Sequence, residues 1–154
     1  MRQVYIQCLA LLFISVSLTG QLEISEYSAS NLNQFPDQFT KYEDWIEVHN
    51  TSSEELDISG FGISDKESKP QKWIFPEGTI LSSGEYMIVW CSGRDMEQAF
   101  GASHTNFKLT QTKSGEYAVI SDVDGNIIES TAYMQKNLES AAKILCKHLN
   151  GGQV

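Results

Sequence analysis

Short apolar runs, each bounded by turn residues, recur along most of the chain. In several of them apolar and polar side chains alternate, as in "DWIEVHN" at residues 44–50. Such alternation is typical of a strand that buries one face and exposes the other. The runs are spaced by roughly 8 to 15 residues, and no long helical period occurs before residue 135. The chain is therefore expected to form an all-β sandwich or barrel.

The position of each strand is predicted from the turn residues and from where each apolar run begins and ends. Asp124-Gly125 lies between "YAVISDV" and "NIIEST" and predicts a hairpin, because Gly125 accepts a positive φ. The polar residues 28–41 and the residues 94–104 are predicted to be loops that present whatever the protein recognises. The predicted strands lie near Leu22–Glu26, Asp44–His49, Leu56–Ile58, Phe61–Ser64, Gln71–Phe75, Glu85–Cys91, Asn106–Leu109, Tyr117–Ser121 and Asn126–Thr131.

Residues 1–20 differ in character from the rest of the chain. Arg2 is the only charge before Glu23, and residues 6–16, "IQCLALLFISV", are almost wholly apolar. A basic start, a short apolar core and a small-residue exit predict a secretory signal peptide. The apolar run is too short for a helix that spans a membrane, and Gln21 stands where a lipidated cysteine would be needed. We therefore expect a secreted, periplasmic or cell-surface protein without a lipid anchor.

The end of the chain changes to a helical pattern. "NLESAAKILCKHLNGG" places apolar side chains at helical spacing, with Asn137 as a cap and Gly151 as a stop. A short amphipathic helix is predicted over residues 138–149, which packs on the sandwich or docks a partner through its apolar face. The chain is accordingly divided into a signal peptide at 1–20, a β-sandwich domain at 21–133 and a helical tail at 134–154.

The charge of the chain argues against nucleic acid as a partner. The net charge is −9, and removal of residues 1–20 leaves ten basic and twenty acidic residues, a net charge of −10. Such a field repels phosphate backbones, and no basic stripe offsets it. Solubility alone explains an acidic surface, so the composition favours no cationic ligand.

Two cysteines remain after residue 20, and they leave two alternatives open. In an oxidising compartment Cys91 and Cys146 could form a disulfide. Cys91 also ends an apolar run, where a reduced thiol would be buried as a small apolar side chain. A single pair without repeat spacing does not decide between them, and the buried thiol is the preferred interpretation.

No cofactor or metal site is predicted. His49, His104 and His148 are scattered and lack the spacing of zinc ligands. Residues 122–126, "DVDGN", look like the start of a calcium loop, but the twelfth position is Tyr133 instead of the closing glutamate. A hairpin turn accounts for this stretch more simply. Phosphate-binding loops, nucleophile elbows and zinc-protease motifs do not occur.

The acidic stretch "EDWIE" at residues 43–47 raises the question of a sugar-cleaving site. Side chains alternate across a strand, so Asp44 and Glu47 point to opposite faces of the sheet. Glu43 and Glu47 share a face but lie roughly 13 Å apart along the strand. A glycosidase pair needs about 5 to 9.5 Å. Catalysis by this cluster is therefore not expected, and no catalytic residue is assigned.

The same alternation gives the stretch two differently used faces. Ile46 and Val48 are predicted to face the core, and Trp45 is predicted to lie on the outer side beside Glu47. Trp45 could be a stacking platform for a sugar or a peptide, although a half-buried ring that seals the sheet is the favoured interpretation.

Four stretches together resemble a known family. "LEISE" (22–26), "DWIEVHNTSSEELDISGFGISD" (44–65), "KWIFPEGTILSSGEYMIVWCSG" (72–93) and "HTNFKLTQTKSGEYAVISDVDGNIIES" (104–130) are similar, in order, to the conserved runs of the lamin tail domain in the form found in exported bacterial proteins. The resemblance covers about residues 22 to 131. After it, the chain continues with a helical pattern where the family has a further segment.

The resemblance implies an immunoglobulin-like β-sandwich and a non-enzymatic binding or scaffold module that tethers a protein or a cell-surface component. Trp45, Phe35 and Phe39 are the residues we expect to contact a ligand. One alternative is a carbohydrate-binding module that stacks sugars on exposed Trp45, Trp73 or Trp90. A hydrolase with Glu47 or Asp44 as its base, or a fragment of a larger surface protein or hydrolase, is a further alternative.

Overall fold

The computed structural model describes residues 21–99, 102–110 and 116–132. The predicted signal peptide, the helix at 138–149 and the tail at 134–154 lie outside these ranges. Every regular element within them is a strand. Consequently this part of the chain contains no helix with the length and apolarity needed to cross a membrane.

The strands form two larger sheets and one short pair. Their bounds are β1 Leu22–Ser28, β2 Asp44–Asn50, β3 Leu56–Asp57, β4 Gly62–Ser64, β5 Trp73–Ile74, β6 Ile80–Leu81, β7 Tyr86–Cys91, β8 Met96–Ala99, β9 Ala102–His104, β10 Tyr117–Ser121 and β11 Ile127–Ala132. The five-stranded sheet has the order β1-β2-β7-β9-β8, the four-stranded sheet β11-β10-β4-β5, and β3 pairs with β6. All pairings are antiparallel except that of β7 with β9.

One buried apolar cluster draws side chains from both larger sheets, so the prediction of an all-β sandwich is confirmed. The five-stranded sheet contributes Ile46, Val48 and Val89, each with no exposed surface. The four-stranded sheet contributes Ile63 and Ile120. Ile46 and Val48 face the core as the alternation of β2 predicts. Removing this apolar area from water is the main favourable term in the folding of such a domain.

A β-bulge in β1 explains why its apolar residues change phase. Leu22 and Ile24 are buried at even positions, whereas Tyr27 packs against the core at an odd one. Between Ile24 and Glu26 the pairing with β2 shifts by one residue, which leaves Ser25 as the extra residue. A bulge of this kind re-aims a side chain, and here Ser25 Oγ donates a hydrogen bond of 2.5 Å to Glu47 Oε1.

The hairpin predicted at Asp124-Gly125 is confirmed. β10 and β11 pair antiparallel on either side of it, and Gly125 has a φ of 82°. The Asp122 carboxylate accepts hydrogen bonds from the backbone amides of Asp124 and Asn126. The acidic residues that look like a calcium loop therefore hold the turn itself.

Two predictions between residues 94 and 110 are wrong. Residues 94–104 were expected to be a loop, yet they contain β8 and β9. These strands form by backbone pairing at the edge of the sheet, which leaves little apolar alternation in the sequence. Residues 106–109 were expected to be a strand, but only Lys108 makes an isolated bridge, with Ser92. The alternation there reflects the burial of Phe107 and Leu109 in the core rather than a ladder.

Cys91 lies in the core without exposed surface and makes no disulfide with another described residue. Burial raises the pKa of this thiol well above its ordinary value, which keeps it protonated and unreactive. Cys146 lies outside the described residues, so the disulfide alternative stays a prediction.

The side chain of Asn50 links neighbouring segments at one end of the sandwich by hydrogen bonds. It is fully buried, and its Nδ2 donates to the carbonyl oxygens of Glu54, Leu81 and Ser82. Its Oδ1 accepts from the amide and the hydroxyl of Ser52. One side chain thus joins the turn after β2 to the end of β6 and to the turn that follows it.

We predict that Asn50→Ala lowers the free energy of unfolding by about 3 kcal/mol, because three carbonyl oxygens lose their donor and that of Leu81 is buried. Urea unfolding followed by circular dichroism measures the change. Asn33→Ala, at an exposed asparagine, is the matched control and should change stability little. Equal stability of the two variants would contradict the assigned role of Asn50.

Candidate binding site

The outer face of the five-stranded sheet, which points away from the core, carries three rows of side chains. In the pairing of β2 with β7, Trp45 lies opposite Trp90, Glu47 opposite Ile88, and His49 opposite Tyr86. The first row continues onto β9, where His104 lies beside Trp90. The sheet therefore presents large aromatic side chains on the side that faces away from its own core.

The cap loop, residues 29–43, covers the first row. Phe35 contacts the rings of Trp45 and Trp90 with centroid distances of 5.4 and 5.5 Å. Phe39 lies 5.6 Å from the ring of His104. As a result Trp45, Trp90 and His104 are only 3%, 6% and 0% exposed. The cap loop and the first row form a second, smaller apolar cluster.

Asn31 folds the start of the cap loop. Its Nδ2 donates to the carbonyl oxygens of Phe35 and Glu43, and its Oδ1 accepts from the amide of Gln34. Its own amide donates to Asp44 Oδ1 at the start of β2. Burial raises the pKa of the Asp44 carboxyl, although this hydrogen bond opposes the shift. These contacts order a segment that has no strand partner.

A buried carboxylate fastens the other end of the cap loop to the sheet. The Asp37 side chain has no exposed surface, and its carboxylate pairs with the Arg94 guanidinium. Burial alone would raise the pKa of Asp37, but hydrogen bonds from the Lys41 amide and from Arg94 hold it below its ordinary value. Arg94 also pairs with Glu43 at 3.3 Å, and Lys108 reaches the other oxygen of Glu43 at 3.1 Å. We call these four side chains the charge clasp.

Ser92 and His104 are hydrogen-bonded but do not form a catalytic pair. Ser92 Oγ lies 2.9 Å from His104 Nδ1, and both residues are buried beneath the cap loop. His104 Nε2 is buried and has no hydrogen-bond partner among the described residues, so no carboxylate orients the ring as an acyl-transfer site requires. Burial, and then the charge of Arg94, lower the pKa of His104. A neutral imidazole fits its place in the apolar cluster.

The second and third rows are not covered, and they form an open groove beside the cap loop. Its volume is about 510 Å³. The residues along it combine aromatic and apolar side chains with carboxylates and include Phe35, Glu47, Glu85, Tyr86, Ile88 and Trp90. Tyr86 is 56% exposed, whereas Trp90 lies at the buried end. We call this surface the groove.

The groove is acidic among the residues that the structure describes. Its lining contains Glu47 and Glu85 but neither lysine nor arginine within the described ranges. Next to it, His49 stacks on Tyr86 with a centroid distance of 3.9 Å, and His49 Nδ1 lies 3.0 Å from Glu23 Oε1. The ladder of Glu23, His49 and Tyr86 crosses three strands and fixes the position of the tyrosine ring.

The carboxylates of β2 do not converge on one point. Asp44 is engaged by Asn31 at the end of the cap loop, whereas Glu47 faces the groove and accepts from Ser25. Glu43 belongs to the charge clasp. In the described ranges, no three histidine, cysteine or acidic side chains are grouped to hold a metal ion. These three carboxylates therefore do not form an acid–base pair with one another.

The structure separates the residues that we expected to contact a ligand. Phe35 is half-buried and lines the groove, so it remains a candidate. Trp45 is more deeply buried than the half-buried ring expected, and Phe39 is held between His104 and Arg94. Trp73 faces the core and is 4% exposed. None of the three tryptophans is exposed, so the stacking platform that the carbohydrate alternative requires is not formed.

Tyr86, Ile88 and Glu85 were not among the expected site residues. "EYMIVWC" at residues 85–91 contains a signal that could have found them, because Tyr86 and Ile88 share a face with Trp90 while the other face is also apolar. A strand that is apolar on both faces needs a cover on each. Which part of the outer face stays uncovered depends on the cap loop, which the pattern of β7 does not reveal.

A family model described as Lamin Tail Domain matches residues 15–135 of the chain. The match spans more than half of the chain and includes all the strands described above. A search of curated proteins gave no match.

We predict that the free energy of unfolding falls as the pH drops below about 6.5. The pKa of His104 is depressed from its ordinary value of 6.5 in the folded protein, so the unfolded chain binds a proton at higher pH than the folded one does. The stability contributed by neutral His104 is complete at a pH above the pKa that His104 has in the unfolded chain. It is lost as the pH falls through the lower pKa that His104 has in the folded protein. Urea unfolding near pH 7.5 and 5.5 should show a larger loss for the wild type than for His104→Gln. Identical pH dependences would contradict a neutral, buried His104.

Proposed function

The chain belongs to the lamin tail domain family, and from this membership and the groove we propose that it is a non-enzymatic binding module that docks another protein. The family has an immunoglobulin-like fold, and such a fold presents a rigid surface on which a binding site can form. A fold does not fix a function, so the groove carries the proposal.

The single observation behind this proposal is the partial cover of the outer face. The cap loop seals the row of Trp45 and Trp90, but Tyr86 and Ile88 remain open in a groove of about 510 Å³. Exposed surfaces of this composition, with an apolar floor and a polar rim, are typical of interaction sites on soluble domains. Tyrosine is among the residues enriched at the centre of such interfaces.

The absence of a reactive centre from the described residues supports a non-enzymatic role. Asp44 and Glu47 serve separate surfaces, and the pair of Ser92 and His104 lies beneath the cap loop without access to a substrate. The groove holds carboxylates, but its described lining offers no nucleophile with an adjacent base.

The proposal includes an exported location and a tethering role. The apolar residues 6–16 after Arg2 support export through a signal peptide, and the acidic composition supports a soluble product. A small exported domain with the open groove described above is suited to holding a second protein or a cell-surface component.

Affinity capture from an envelope extract of the producing cell tests the proposal. The chain, its Tyr86→Ala variant and its Tyr42→Ala variant serve as parallel baits. Tyr42 is a matched control because it is a tyrosine of similar exposure, 51% against 56%, that does not line the groove. We expect specific proteins on the wild-type and Tyr42→Ala baits that are lost from the Tyr86→Ala bait.

Loss of an interface tyrosine costs about 2 kcal/mol or more at a hot spot, which corresponds to a reduction in capture of at least about tenfold. Circular dichroism of all three baits establishes that they are equally folded. The same captured proteins on all three baits would contradict docking in the groove.

A further inference from the structure

We propose that the groove takes a basic segment of the partner protein, with lysine or arginine side chains paired to Glu47 and Glu85 beside the ring of Tyr86. This inference rests on the proposed function, because it names the chemistry of the segment that the groove would dock. It is carried by the charge distribution over the outer face and by the composition of the groove floor.

Among the described residues, three acidic side chains pair with lysine or arginine, of which Asp65 pairs with Lys72. Arg94 pairs with Asp37, and Arg94 and Lys108 together pair with Glu43. On the outer face, the carboxylates of Asp37 and Glu43 beside the cap loop are therefore neutralised within the chain. Glu47 and Glu85, which line the groove on the same sheet, have no lysine or arginine partner among the described residues.

Glu47 and Glu85 have only neutral donors among the described residues. Glu47 Oε1 accepts from the Ser25 hydroxyl, and Glu85 Oε2 accepts from the Ser82 amide at 2.7 Å. In the described part of the chain no lysine or arginine lies within ion-pair distance of either carboxylate. Their negative charge is left to be balanced by solvent or by a partner, and charge complementarity of this kind steers association.

The floor of the groove fits the remaining parts of a lysine or arginine side chain. Tyr86 is 56% exposed although His49 covers one side of its ring, so aromatic surface is open to a cation. Ile88 and Phe35 are half-buried beside it and offer apolar surface to the methylene stem. Long cationic side chains bury their stems in this way while the charged group stays at a polar rim.

The net charge of the whole chain is compatible with the same occupant but does not by itself select it. A net charge of −9 attracts basic partners and accelerates their association at low ionic strength. It also disfavours a second copy of this chain in the groove, since both surfaces would be acidic. Residues 133–154 carry Lys136, Lys143 and Lys147 and are the rival occupant from within the chain.

Fluorescence anisotropy tests the inference with a labelled probe. The probe is a short peptide in which lysines alternate with leucines, and its matched control carries acetyl-lysine at the same positions, which removes only the charge. We expect the full chain to bind the lysine peptide, to bind the acetylated peptide at least about tenfold more weakly, and to lose affinity as salt is raised.

A pair of double variants assigns the binding to the groove. Glu47→Gln with Glu85→Gln keeps both neutral hydrogen bonds, because a glutamine side chain still accepts through Oε1. Glu55→Gln with Glu77→Gln removes the same charge from two exposed carboxylates that do not line the groove. The first double variant is expected to bind the lysine peptide about tenfold more weakly than the wild type does. The second is expected to bind it less than about twofold more weakly.

Equal weakening by both variants would overturn the inference, since it would reduce the binding to net charge alone. Equal binding of the lysine and acetyl-lysine peptides would overturn it as well. Either result would leave the proposed docking function standing if Tyr86→Ala still abolishes capture from the extract. If the peptide measurements overturn the inference and Tyr86→Ala also leaves capture from the extract unchanged, the groove is rejected as a docking site.

Carbodiimide cross-linking, which joins carboxylates to neighbouring amines, identifies the occupant. Mass spectrometry should find Glu47 or Glu85 joined to a lysine of the probe. Alternatively, these carboxylates could be joined to Lys136, Lys143 or Lys147 of the same chain. If such links persist when the peptide is in excess, the occupant of the groove is the chain's own residues 133–154 and not an external partner. Links between two copies of the chain would instead identify a homodimer, and both results contradict the proposal.

Discussion

The pleat of β2 places Trp45 and Ile46 on opposite faces of one sheet, and both are large apolar side chains. A single core between two sheets can bury only one of them. Trp90 on the neighbouring strand imposes the same requirement, so a second cover must form over the outer face. The cap loop supplies that cover through Phe35. Burying two indole rings contributes several kcal/mol, because an aromatic side chain removes about 150 to 250 Å² from water at about 25 cal/mol per Å².

The cap loop covers only part of the outer face. The covered and uncovered parts differ in solvent exposure and also in whether their carboxylates are neutralised. Beneath and beside the cap loop, the carboxylates of Asp37 and Glu43 are neutralised by the charge clasp. Beyond it, Glu47 faces a groove whose aromatic ring, Tyr86, is open to solvent. The same sheet thus carries a closed half that stabilises the domain and an open half that is available for binding. A stable scaffold next to an open surface is the usual arrangement in domains that bind other proteins.

Local patterns predicted the scaffold well and the site poorly. The inward position of Ile46 and Val48 and the turn at Gly125 follow from alternation and from turn chemistry, which depend on near neighbours. β8 and β9 form by backbone pairing at a sheet edge, which leaves little trace in side-chain type. The burial of the tryptophans depends on the cap loop, and the groove joins residues as far apart as Phe35 and Trp90. Such long-range assembly cannot be inferred from any one stretch of the chain.

The most direct measurement of this division is hydroxyl-radical footprinting of the folded chain, read by mass spectrometry and normalised to the unfolded chain. The rate of modification follows the exposure of each residue, which is 56% for Tyr86, 6% for Trp90 and 3% for Trp45. We therefore expect Tyr86 to be modified readily while both tryptophans are protected. Modification of Trp45 and Trp90 as readily as Tyr86 would show that the cap loop does not seal the outer face, and would contradict the account of a closed and an open half.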